Sequence, residues 1–422
     1  MRNNQVPWKI VIMLCATATA SYICRVNIST AGPLLMKEFD LSQVAMGRLL
    51  SAFLLGYALF QAPAGFLADY FGARKILRIV PWLWIAFTIL LTFVNWGPFQ
   101  TSIAVALTSF MVIRLLLGIT ESPTYPASAK GVSRWIFPQF QGRANGIIIA
   151  SIGIGSALAP PLVSNIMVHW GWRVSLIASA LPAFIVAIIW LRIREPASVV
   201  NLSYSIPKDS KISQPATNSK FKLTSFIMLT ISYTLQGYVG YIFVTWFYIY
   251  LVQERHFGII SGAWMSSLPW LLSIISIPLG GYISDRLAGG SLGSVWGRRL
   301  VPMIGMALSG ILISIGAHTG NAVMAAISLA FATAFILCVE SPFWTMMLRI
   351  SGTKSGTAGG IMNFGSNVGG FISPWLTPLI AHYIGWENAL HVAGILAIIA
   401  AALWLAIKPD INVRKDESVR LQ

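Results

Sequence analysis

Apolar residues along this chain neither alternate nor settle into a single amphipathic stripe. They come in runs of about 20, the length a helix needs to cross a hydrocarbon layer. Short polar breaks separate the runs. Twelve helices are placed at 8–36, 45–67, 77–95, 101–123, 144–167, 174–194, 223–252, 262–283, 299–317, 321–349, 355–381 and 387–407. The first run is long and lacks a small-residue cleavage site, so it reads as a retained helix. The expected fold class is an all-α membrane protein, with twelve transmembrane helices in two six-helix pseudo-symmetric bundles.

The halves repeat. "GFLAD" at 65–69 returns as "GYISD" at 281–285, and "ESP" at 121–123 returns at 340–342. "GRANGIIIASIGIGSALAPPL" from 142 aligns with "GTAGGIMNFGSNVGGFISPWL" from 356, and "GW" at 171–172 with "GW" at 385–386. The offset stays between 214 and 219 across four separate helices. This predicts an N-terminal bundle over 1–194, a Ser-, Lys- and Pro-rich cytoplasmic linker over 195–222, and a C-terminal bundle with a short tail over 223–422. Two parallel repeats about an axis along the membrane normal suit a rocker that opens a central site to alternate sides.

Composition agrees with the runs: 56% of residues are hydrophobic and 10% charged. The net charge of +16 reports topology rather than nucleic-acid binding. Of 29 Lys and Arg, Lys37, Arg48, Arg173 and Arg255 fall in outer loops, Arg25 and Arg114 inside helices, and the other 23 on the side that carries both termini. That asymmetry places the termini in the cytoplasm. Cys15, Cys24 and Cys338 lie in apolar runs and form no C-x-x-C pair, so they read as small fillers. The five histidines lie apart in the sequence, and no metal set is expected. With no phosphate loop and no nucleophile–base pair, neither a cofactor nor an enzyme is expected.

These motifs resemble the major facilitator superfamily. "GFLADYFGARK" (65–75) is similar to its loop signature between the second and third helices. The resemblance gives Gly65, Asp69, Arg74 and Lys75 a gating role, through close helix contact and interhelical charge contacts. Asp285 and Arg286 form the second copy, with Arg298 and Arg299 after an insertion. More narrowly, "YICRVNIS" (22–29), "RLLLGITESPTYPA" (114–127) and the two glycine-rich helices resemble the anion:cation symporter family. That family contains hexuronate and galactonate permeases and vesicular glutamate and sialic acid carriers. The resemblance implies a small organic anion and protons as partners. It also implies a monomer in the lipid bilayer of the bacterial inner membrane.

A charge inside a membrane helix costs roughly 2.5–3.5 kcal/mol on insertion scales, so each needs a reason. Arg25, Arg114, Glu121 and Glu340 qualify. Arg114 and Glu121 stand seven residues apart, on one helix face and about 10.5 Å apart along the axis. Each then needs a partner on another helix, in water or in a substrate, and a guanidinium suits a carboxylate in a bidentate grip. The bland alternative is that Arg25 and Arg114 pair with Glu121 and Glu340 and lock helices together.

The resemblance assigns Arg25 and Arg114 to substrate and Glu121 to proton coupling. Glu340 repeats Glu121 and is either a second proton site or a partner of Arg25. Many bacterial relatives carry Asp where this chain has Cys24, so one candidate proton site is lost and fewer protons per substrate are expected. Tyr57, Gln61, Tyr125, Tyr238, Tyr241, Trp344, Asn363 and Asn367 are the polar and aromatic candidates for lining a pocket. The favoured reading is proton symport of a sugar acid or other carboxylate by alternating access. The alternatives are a proton-coupled exporter or drug antiporter, and a non-transporting membrane sensor.

Overall fold

The structure, a computed structural model, describes residues 8–193, 222–290, 292–351 and 355–408. The predicted linker up to 221 and the tail after 408 lie outside these. The described chain is helical: α1 Trp8–Glu38, α2 Gln43–Phe71, α3 Ala73–Thr92, α4 Ile103–Glu121, α5 Thr124–Trp135, α6 Pro138–Ser179 and α7 Leu181–Arg192. The second half continues with α8 Leu223–Thr245, α9 Phe247–Gln253, α10 Ile259–Gly289, α11 Gly293–His318, α12 Ala322–Cys338, α13 Glu340–Ser351 and α14 Ser355–Leu403. Ten helical stretches among the described residues are long and apolar enough to cross a membrane. Their exposed surface is apolar, with Ile12, Phe66, Ile275, Met324 and Ile395 all more than half exposed. In lipid, a helix satisfies its own backbone groups and leaves such side chains in an apolar solvent.

The boundaries differ from the sequence reading where a single residue does the work of a loop. α2 runs through "GFLADYF", and the predicted loop shrinks to Gly72 at φ 82°. Gly171 (φ 79°) and Gly385 (φ 84°) break α6 and α14 at single non-helical residues. These are the glycines of the repeated "GW" pair, at a positive φ that favours glycine. The predicted helix 101–123 continues beyond its expected end. Only Ser122 and Pro123 interrupt the path from α4 into α5, where proline withdraws one backbone donor.

The chain divides into two compact units. The first gathers the described residues of Met1–Ser205 with Ile242–Ile274 and Phe371–Trp386. Within it, α2 and α4 cross at backbone contact: a Cβ on Gly118 would collide with the Phe53 carbonyl, and one on Gly56 with the Leu115 carbonyl. Gly155 of α6 meets Thr19 of α1 in the same way. Gly142 and Gly146, also in α6, have nothing within 4 Å of a built Cβ.

One end of this unit is closed by polar side chains. Glu38 accepts from Trp172 Nε1 (2.6 Å) and Arg173 Nη1 (2.7 Å). Gln43 accepts from Trp386 Nε1 (3.0 Å) and donates to Glu254 (3.1 Å). Deeper in the unit, Ser51 bonds the Phe371 carbonyl (2.8 Å) and Trp246 Nε1 the Pro374 carbonyl (2.7 Å).

The second unit gathers the described residues of Ile206–Tyr241, Ile275–Gly370 and Glu387–Gln422. Glycines again permit its close crossings: Gly280 on the Cys338 carbonyl, Gly369 on the Thr234 carbonyl and Gly310 on the Gly394 carbonyl. The internal repeat is also visible in capping. Arg74 Nε donates to the Ile193 carbonyl at 2.9 Å in the first unit. Arg299 Nε donates to the Ile407 carbonyl at 2.6 Å in the second. In each half a cation satisfies a carbonyl just past the last helical stretch, where the helix dipole favours positive charge.

Candidate functional site

The first unit holds a buried charge cluster. Arg25 comes from the middle of α1, Arg114 from α4, and Glu121 from the last residue of α4. Their exposures are 4%, 2% and 0%. Arg25 grips one carboxylate oxygen of Glu121 with two donors, Nε at 2.9 Å and Nη2 at 2.6 Å. The second carboxylate oxygen of Glu121 has no hydrogen-bond partner among the described residues. Among the described residues Arg114 reaches only the Arg25 carbonyl, at 3.4 Å through Nη2. Its Nε and Nη1 are buried without a partner among the described residues.

Aromatic rings replace the water these cations have lost. The Arg25 guanidinium lies 4.5 Å from the Tyr22 ring centroid, 4.7 Å from Tyr57 and 5.0 Å from Phe53. Phe53 also lies 4.6 Å from the Arg114 guanidinium. Desolvated contacts of this kind contribute about 2 kcal/mol each. Tyr22 adds its hydroxyl, which accepts from Arg25 Nη1 at 3.2 Å. Tyr125 joins through Ser21, with 3.4 Å between their hydroxyls.

The crossing at Gly118 brings α2 and its Phe53 against α4, close to Arg114. Tyr22 and Phe53 escaped the sequence reading. The signal was there: Tyr22 precedes Arg25 by three residues and Phe53 precedes Tyr57 by four, each placing the pair on one helix face. Cys24 is fully buried and turned toward the Ser179 carbonyl, 3.8 Å away. Gln61 is half-buried on α2, one turn after Tyr57.

The second unit holds a separate acid. Glu340 accepts from Trp344 Nε1 at 3.0 Å and, through a short hydrogen bond, from the Tyr233 hydroxyl. Arg25, in the first unit, forms its ion pair with Glu121. Tyr233 is another residue the sequence reading missed. Tyr238 is buried on α8, and Tyr241 packs where a Cβ on Gly370 would stand. Asn367 is turned back along α14, its amide donating to the Asn363 carbonyl at 2.9 Å.

The gating candidates divide. Asp69 pairs with Lys130 at 2.9 Å, and Asp285 with Arg298 at 2.9 Å. Lys75 stacks on Phe71, 4.6 Å from its centroid. Arg286 is exposed and 3.5 Å from the Tyr282 hydroxyl. Gly65 does not make the close helix contact expected of it. Among the described residues no atom of another element lies within 4 Å of a built Cβ, and this level of α2 carries exposed Phe66 and Tyr70. Its counterpart Gly281 does meet Ser341. The histidines also differ from expectation: His318 and His391, apart in sequence, converge on Glu387.

The profile of the Major Facilitator Superfamily matches residues 14–374 and 287–420. The hexuronate transporter of Bacillus subtilis (strain 168) is 25% identical over 93% of this chain and 92% of its own length. The probable galactarate/D-glucarate transporter of Escherichia coli (strain K12) is 28% identical, covering 96% of this chain and 95% of the relative. Among solved structures, a bacterial homologue of the human lysosomal transporter Spinster, in an inward-facing and unoccupied conformation, superposes with a TM-score of 0.77. It is 17% identical, covering 94% of this chain and 96% of that one. The relatives are transporters rather than enzymes, as the motifs implied, and this multi-pass membrane protein belongs to the Major Facilitator Superfamily.

Proposed function

We propose that this protein is a secondary active transporter that moves a small organic anion, a sugar acid or a related carboxylate, together with protons. The observation that carries the reading is Arg114: a guanidinium 2% exposed, with two of its nitrogens unpartnered among the described residues, beside the Arg25–Glu121 ion pair. A buried cation left this way is costly unless something completes it. The planar fork of Arg matches a carboxylate. The relatives named above act on hexuronate, galactarate and glucarate, all carboxylate sugars, which supports the same substrate class.

The coupling follows from the Arg25–Glu121 pair. While Glu121 is ionised it holds Arg25, and the cluster carries one net positive charge. Protonation weakens the grip, raises the net charge by one and frees the Arg25 fork for a substrate carboxylate. A proton and an anion then load together, which is symport. Glu340 with Tyr233 and Trp344 is the corresponding acid of the C-terminal half, available to a second proton. With both termini cytoplasmic in the inner membrane, the polar closure at Glu38, Gln43, Glu254 and Trp386 is on the outer side. Alternating access then requires that closure to break, in a protein that works as a monomer.

The test is a binding screen on the purified protein. Hexuronates, aldonates and aldarates are titrated while thermal stability is followed, with Arg114→Ala alongside. A ligand should raise the melting temperature of the parent and leave the variant unmoved. If sugar acids stabilise both equally, Arg114 does not hold the anion and the reading fails.

A further inference from the structure

His318, Glu387 and His391 present one nitrogen or oxygen ligand atom each, all within 4.8 Å of one another. Two helices supply them. His318 is the last residue of α11, and Glu387 and His391 stand one turn apart on α14 just past the break at Gly385. His318 Nδ1 is 2.7 Å from Glu387 Oε1, and His391 Nε2 is 3.7 Å from the same oxygen. The placement is rigid in origin. α11 and α14 cross at backbone contact where Gly310 meets Gly394. His318 lies eight residues beyond that crossing and Glu387 seven before it, so both reach the same level two helical turns away. The break at Gly385 lets α14 present Glu387 in the first turn of its second half.

We propose that this triad binds a divalent transition metal of the Zn²⁺ type and braces α11 to α14 at that end of the second unit. Two imidazoles and one carboxylate are the ligand set such ions prefer, whereas Ca²⁺ and Mg²⁺ take all-oxygen sets. The side chains are 82%, 52% and 34% exposed, so they can adjust from hydrogen-bond spacing to metal-ligand spacing, with water filling the open positions. A simple hydrogen-bonded His–Glu–His cluster is the competing account.

Calorimetric titration of the tag-free, full-length protein in detergent with Zn²⁺ distinguishes the two. One saturable site is expected, weakened more than about 10-fold in His318→Ala and in His391→Ala. Cu²⁺ bound to the parent should also show imidazole nitrogen couplings in pulsed electron paramagnetic resonance. Absence of a saturable site, or unchanged Zn²⁺ affinity in the double His→Ala variant, overturns the proposal.

Discussion

Arg25 and Arg114 are one charge type in one helical layer, and they differ by what faces them. Arg25 has a carboxylate, a phenol and three rings. Arg114 has one ring and a distant carbonyl. An Arg114→Lys substitution keeps the charge but removes the fork, so substrate affinity should fall by about 10-fold or more, read by ligand-dependent thermal shift. Retained affinity would mean that Arg114 acts only as a point charge. Cys24 offers a second test. An Asp there would sit buried against the Ser179 carbonyl and near the existing cluster. Cys24→Asp should steepen the pH dependence of transport by adding a further titrating acid to the Arg25–Glu121 cluster, and an unchanged pH profile would contradict this. Sequence spacing separated Arg114 from Glu121 and left the partner of each open between another helix, water and a substrate, with pairing to Arg25 among the alternatives. That partner came from α1, and helix adjacency in space is not written in the spacing of one helix.

At the scale of elements, glycines decide how close the helices come. Gly118 lets α4 lie against Phe53, which positions the ring that both guanidinium groups use. Gly118→Leu should destabilise the protein by about 1–3 kcal/mol through overpacking, measured as a lower melting temperature in detergent. It should also weaken substrate binding, because the Phe53 ring would be displaced. The caps at Ile193 and Ile407 predict that Arg299→Ala costs about 1–2 kcal/mol of stability. A change near zero would show that water satisfies the Ile407 carbonyl equally well. Apolar runs and repeats made the helices legible. The breaks at Gly72, Gly171 and Gly385 fall inside the joints expected between 67 and 77, 167 and 174, and 381 and 387, but spacing could not show that one positive-φ glycine does the work of each loop.

Over the whole molecule, the first unit takes in stretches of the C-terminal half, Ile242–Ile274 and Phe371–Trp386, which the two-bundle reading assigned elsewhere. Periodicity and repeats identify which helices exist but not which halves of them pack together in one conformational state. Spin labels at Arg48 and Ser261, both exposed within this unit, should report one narrow distance in the parent. Trp386→Ala removes the bond to Gln43 and should add a longer population. A distance distribution unchanged by the variant would place the closure elsewhere. The central claim is that Glu121 links a proton to the anion. It is tested most directly by uptake of a labelled sugar acid into proteoliposomes under an imposed pH gradient, comparing the parent with Glu121→Gln. The parent should accumulate substrate against its gradient, and the variant should exchange substrate without accumulating it. Accumulation by Glu121→Gln at the parental level would contradict the account.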